Sequence, residues 1–179
     1  MQALIDAAIS SGAYKAEVVT ADRLVLSREF VDICKSNQCG KYGKCWMCPP
    51  SVGDIDEMME KARTFPNVLI YQYVGQLEDS FDIEGMEEAG KVHTVLSQKL
   101  NDLLPTLLHE EYLHLSKGGC GLCETCTIIE NKPCRFPDKA LASLESYGVD
   151  VYQSVKDTSL RYINGQNTVT YFGMVLFSE

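Results

Sequence analysis

The chain is poor in residues that commonly announce a chemistry. It has three histidines and one tryptophan in 179 residues, and no P-loop, GxGxxG or GxSxG pattern. The stretch His109-Glu-Glu-Tyr-Leu-His114 misses the HExxH zinc-helix motif, because its second imidazole comes one position too late to share a face with the first. His93 falls on a helical stretch and reads as a surface or core residue, and no acid–base pair stands out. No apolar run approaches the roughly eighteen residues that span a bilayer, so no membrane is expected as a partner. No basic residue precedes Lys15, which argues against a secretory leader, and a cytoplasmic location is expected. Positive charge is scarce: 16 basic residues stand against 25 acidic ones, for a formal charge of −9. A polyanion binder usually carries a basic stripe, so nucleic acid is not an expected partner either. No long low-complexity linker and no 20–50-residue repeat divides the sequence. Its length and 45% hydrophobic content fit a single domain with its own core.

What the chain does have is cysteine. All eight fall into two groups of four, Cys34-x4-Cys39-x5-Cys45-x2-Cys48 and Cys120-x2-Cys123-x2-Cys126-x7-Cys134. Scattered core cysteines would not sort this way. Cytosolic thiols are normally kept reduced, so the clustering points to metal binding or catalysis rather than to a disulfide frame.

The second group contains the C-x2-C-x2-C run by which bacterial ferredoxins hold a cubane iron–sulfur cluster. Three sulfurs must converge on three corners of one small cube, and a tight turn with two-residue gaps can curl around it. Cys134 is near enough in sequence to reach the fourth corner. Gly118, Gly119 and Gly121 permit the backbone angles and close approach such a wrap needs, and the loop amides can donate to cluster sulfides, raising the potential. Zinc more often takes two separated C-x2-C pairs around one tetrahedral ion, and it stays open as the alternative metal.

The first group is less diagnostic. Cys45 and Cys48 form one C-x2-C pair, with looser spacings ahead of it and Gly40 and Gly43 to fold the loop back. An iron–sulfur cube, a zinc ion or ligands shared with the second group are all compatible with it. A thioredoxin-like redox pair would also use Cys45 and Cys48, but it leaves the other six thiols and the two following prolines unexplained.

A four-thiolate cluster carries net negative charge. Lys35, Lys41 and Lys44 sit among the first cysteines with no acidic residue between Cys34 and Cys45, and Arg135 follows Cys134. These four cations are candidates to neutralise a cluster, and the alternative makes them ordinary solvated loop residues. Trp46, between Cys45 and Cys48, shields such a cluster or packs on the core. Each group also runs through proline into an expected helix, Cys48-Pro-Pro-Ser before Asp54 and Cys134-Arg-Phe-Pro before Asp138. Helix amino termini favour anions.

The periodicities predict a short helix stopped by Gly12 and β-prone runs at Glu17–Thr20 and Leu24–Leu26, the latter equally readable as helix. A cysteine loop follows from Cys34 to Pro50. Ser51-Val-Gly-Asp54 resembles a capping box ahead of the helix DIDEMMEKAR, whose acids come first and bases last. A strand is expected at Val68–Gly75, then a long amphipathic helix over about Ile83–Glu110, interrupted or kinked at Pro105. Its apolar stripe is read as Val92, Leu96, Leu100, Leu103 and Leu107, widened by Val95, Leu104 and Leu108. A short strand at Tyr112–Leu115, a helix over DKALASLESY ended by Gly148 and a central strand at Thr168–Phe177 complete the order. Strands separated by helices favour an α/β or α+β layered sandwich, with a mixed sheet flanked by helices and two cysteine-rich metal-binding loops at its ends.

The segments CGKYGKCWMCPPSVGDIDE and GGCGLCETCTIIENKPCRFPDKALASLESYGVDV resemble an uncharacterised family of small cysteine-rich predicted metal-binding proteins, found largely in anaerobic bacteria and archaea. The resemblance spans most of the chain and includes all eight cysteines, Arg135 and Gly148-Val-Asp150-Val. It implies metal binding, and an anaerobic habitat suits oxygen-sensitive clusters. It supplies no reaction or substrate. The reading that results is an iron–sulfur protein with one or two [4Fe-4S] clusters, passing electrons to a redox partner protein in anaerobic metabolism. A zinc-organised interaction module and an enzyme with a substrate-binding cluster are the competing readings.

Overall fold

The computed structural model describes all 179 residues. Helix α1 (Gln2–Ser11) ends at Gly12, whose φ of 116° is left-handed, as the sequence predicts for a stop. Strand β1 (Lys15–Thr20) follows. The run after it does not become a strand: Ala21–Arg23 is a single 3-10 turn, and Leu26 makes only an isolated bridge to Val149. Helix α2 (Glu29–Lys35) has no buried residue, which is why no apolar periodicity announces it.

Helix α3 (Ile55–Arg63) starts later than the Ser51 box suggests. The cap is Asp54, whose side chain accepts from the Asp56 amide at 2.9 Å. Acids in its first turn and bases in its last complement the helix dipole. Strand β2 (Asn67–Gln76) leads to helix α4 (Ile83–Leu107), capped by Asp82 and continuous through Pro105. Then come strand β3 (Tyr112–Ser116), strand β4 (Ala142–Ser143), helix α5 (Val151–Val155) and strand β5 (Thr168–Phe177).

These elements form an α+β sandwich around one mixed sheet of order β1-β2-β5-β3-β4. Its pairings are antiparallel except β3 with β4, where Leu115 faces Ala142 and Ser116 faces Ser143. β5 is the central strand, buried from Phe172 to Phe177, as its two apolar faces require. One face sets Leu69, Tyr71, Val175 and Phe177 against Leu4 and Ala8 of α1 and Leu96, Leu100 and Leu104 of α4. The other sets Val68, Ile70, Phe172, Met174 and Leu176 against Ala62, Phe65, Leu144 and Val155.

Two expectations are corrected. No α-helix forms over DKALASLESY. Ala142 and Ser143 pair with β3 instead, and Glu145–Tyr147 closes a 3-10 turn in which Ser143 Oγ accepts from the Ser146 amide. Strand pairing and local side-chain bonding together outweigh helix propensity there. The buried stripe of α4 is also rotated from the predicted one: Ala89, His93, Leu96, Ser97, Leu100 and Leu104 face the sheet, while Val92, Val95 and Leu103 are exposed. Polar contacts to the sheet account for this, because Ser97 bonds Tyr71 at 2.8 Å and Ser116 at 3.0 Å.

Candidate metal centre

The two cysteine groups reach one end of the sandwich by different routes. The first runs between α2 and α3, with Cys34 in the last turn of α2 rather than in a loop. The second leaves the end of β3 at Ser116 and returns to β4 at Ala142, so the parallel pair holds both feet of this loop together. All eight cysteines are free thiols, none of them disulfide-bonded.

A cavity of about 140 Å³ lies between the loops, walled by Cys120, Cys123, Cys126 and Cys134 of the second group and by Cys45 of the first. Leu122, Ile129 and Phe136 add apolar surface, and Lys41, Lys44, Arg135 and Trp46 also line it. No three His, Cys, Asp or Glu side chains close on one point as a ready-made single-ion site.

Hydrogen bonds fasten the loops to each other and to themselves. Trp46 donates its indole N–H to the Lys132 carbonyl at 3.1 Å, linking the groups. Arg135 donates to the Thr125 carbonyl at 3.3 Å, Thr127 donates to the Pro133 carbonyl at 2.8 Å, and the Phe136 amide donates to Cys134 Sγ at 3.4 Å. Gly121 takes a left-handed φ of 70° between two cysteines. The loops pack closely at Gly119, where a Cβ would lie 3.0 Å from Lys41 Cγ.

The electrostatics tie the first group together. The neighbouring thiols of Cys45 and Cys48 perturb each other, pulling Cys45 down and pushing Cys48 up, and Cys48 is raised further by burial and by Cys39 and Cys34. Amides of Cys120 and Met47 and the Lys41 ammonium also favour the Cys45 thiolate. Burial pushes Cys34 up, helped by Glu145 and Cys39. Burial likewise raises Cys120, with Cys45 and Cys134 adding to the rise against amides of Leu122 and Leu141. Cys34, Cys39, Cys45 and Cys48 thus influence one another directly, and Cys45 meets Cys120 where the two groups join. Amide and cation donors of this kind stabilise a thiolate.

Lys41, Lys44, Arg135 and Trp46 therefore stand at the cavity. Lys35 does not line it and lies 3.6 Å from Asp32. The helix start expected after Cys134 does not exist; the helical turn of this loop is instead the 3-10 segment Thr127–Glu130, which follows Cys126. Sequence reading missed Glu145 beside Cys34 and the half-buried Lys117 near Lys41. Glu145 was hidden by the misread helix, and nothing in the local pattern flags Lys117.

An α+β sandwich that gathers two cysteine-bearing loops around one cavity is the frame of a metal-binding protein. The chain belongs to the family described as "Predicted metal-binding protein (DUF2284)", whose pattern matches residues 17–177. No match was found among curated proteins or among solved structures. No helix of the chain is long and apolar enough to cross a membrane.

Proposed function

We propose that the chain is an iron–sulfur protein of the cytoplasm, in which Cys120, Cys123, Cys126 and Cys134 hold one [4Fe-4S] cluster and Cys34, Cys39, Cys45 and Cys48 a second, and that it exchanges single electrons with a partner protein. The observation that carries this reading is the single cavity that Cys120, Cys123, Cys126 and Cys134 all line. A zinc ion draws four sulfurs to about 2.3 Å from one centre, whereas a cubane needs sulfurs set apart on a cage. A bound cluster supplies a one-electron couple whose potential is tuned by hydrogen bonds to sulfur, net charge and solvent exposure.

The chain's own residues supply that tuning. The Phe136 amide donates to Cys134 Sγ. Lys41, Lys44 and Arg135 place positive charge at the rim of the cavity. Leu122, Ile129 and Phe136 add apolar surface beside them.

Reduction of anaerobically prepared protein by dithionite, followed by electron paramagnetic resonance, tests the reading. A signal from reduced cubane clusters, diminished by Cys123→Ser and separately by Cys39→Ser, supports it. A silent protein that takes up no electrons overturns it.

A further inference from the structure

The cavity mouth has a charge unlike that of the rest of the chain. Lys41, Lys44 and Arg135 line it against the single carboxylate of Glu124, on a chain of formal charge −9. All three cations are exposed, and none is held in a salt bridge to a carboxylate. Beside them, Ile129 and Phe136 keep 57% and 45% of their surface in water. A small basic ring with two apolar side chains, on an acidic body, has the makeup of a docking site.

The size of the cavity decides what kind of partner fits. Small-molecule sites usually enclose about 300–1,000 Å³, whereas this one offers about 140 Å³ before any metal enters. This cavity by itself has too little room for a small substrate, and its exposed basic ring is suited to a partner's surface.

Building on the iron–sulfur reading above, we infer that the mouth formed by Lys41, Lys44, Arg135, Ile129 and Phe136 docks an acidic one-electron carrier protein. The −9 body repels such a carrier over most of its surface, and the basic ring admits it beside the cysteines. Repulsion elsewhere therefore contributes to orientation as much as attraction here. The exchange moves one electron between carrier and site, with no bond made or broken and no proton transferred.

The test follows electron transfer by stopped flow between the anaerobically prepared protein and two probes, a small acidic bacterial ferredoxin and the basic cytochrome c. Iron content is measured on the same samples. The inference expects faster exchange with the acidic probe, slowing as salt is raised and the Debye length shrinks. Lys41→Glu with Lys44→Glu should slow that exchange by about tenfold or more. Phe136→Ala should slow it less, and Arg135→Lys should largely preserve it. Lys15→Glu, on the opposite edge of the sheet, should leave it unchanged. Iron-loaded protein that reacts with the acidic probe at a rate insensitive to salt and to the lysine reversals overturns the docking site and leaves the iron–sulfur reading standing. Protein without iron overturns that reading, and the docking inference with it.

Discussion

Tyr71 and Gly173 are register partners across β2 and β5, and the tyrosine ring lies over the glycine so closely that a methyl group there would collide with the phenol. A strand glycine commonly marks such a close approach. The phenol it admits is fully buried, and its oxygen lies 2.8 Å from Ser97 Oγ and 2.8 Å from His114 Nε2. His114 Nδ1 continues the network to Asn101 Oδ1 at 2.9 Å.

Gly173→Ala is therefore expected to destabilise the fold by about 1–3 kcal/mol, because the ring must shift and strain its bonds. Tyr71→Phe removes the collision partner's hydroxyl instead and leaves Ser97 and His114 short of a partner, at a cost of about 1–3 kcal/mol. Urea titrations of both variants measure this. An unchanged midpoint in either would show that the network does not contribute as described.

The two inward histidines give a pH prediction. Burial holds His93 and His114 down to about 3, against an ordinary value of 6.5. Below about pH 6.5 the unfolded chain takes up protons that the folded chain refuses. Stability from this source is thus full above that pH and falls as pH drops toward 3, by up to about 1.4 kcal/mol per pH unit for each histidine. His93 stacks on Tyr71 at 5.7 Å, yet neither of its ring nitrogens has a hydrogen-bond partner. His93→Phe is expected to be neutral or stabilising at pH 7 and to remove one histidine's share of the acid slope. The slope is read as variant minus parent, which cancels acid effects common to both.

Trp46 provides a test of the loop contact. Trp46→Phe keeps most of the apolar area and deletes the hydrogen bond to Lys132. A lost hydrogen bond of this kind costs about 0.5–1.5 kcal/mol. Metal release to a chelator should accelerate by roughly two- to tenfold. Equal release rates would show that the two loops hold metal independently of this link.

The sheet's centre was legible because β2 and β5 are dense in β-branched and aromatic residues, and β5 is apolar on both faces. The grouping of cysteines was legible from spacing alone. What spacing could not show was that Cys45 also walls the second group's cavity, since that depends on how the two loops pack on each other. The segment 138–147 misled because Ala140, Leu141, Leu144 and Tyr147 recur like a helix face, while the parallel pairing to β3 that claims Ala142 and Ser143 is non-local. Helix α2 escaped notice for the opposite reason: it buries nothing, so no amphipathic pattern marks it. The predicted α4 stripe holds Leu96, Leu100 and Leu104 correctly but wrongly takes in the exposed Val92, Val95 and Leu103, because Ser97 and His93, both polar, point inward to meet Tyr71.

The most direct measurement is an iron and acid-labile sulfide assay on protein purified without oxygen. The account predicts brown protein with about four irons and four sulfides for each occupied cysteine quartet. Colourless protein carrying stoichiometric zinc and no sulfide would contradict it.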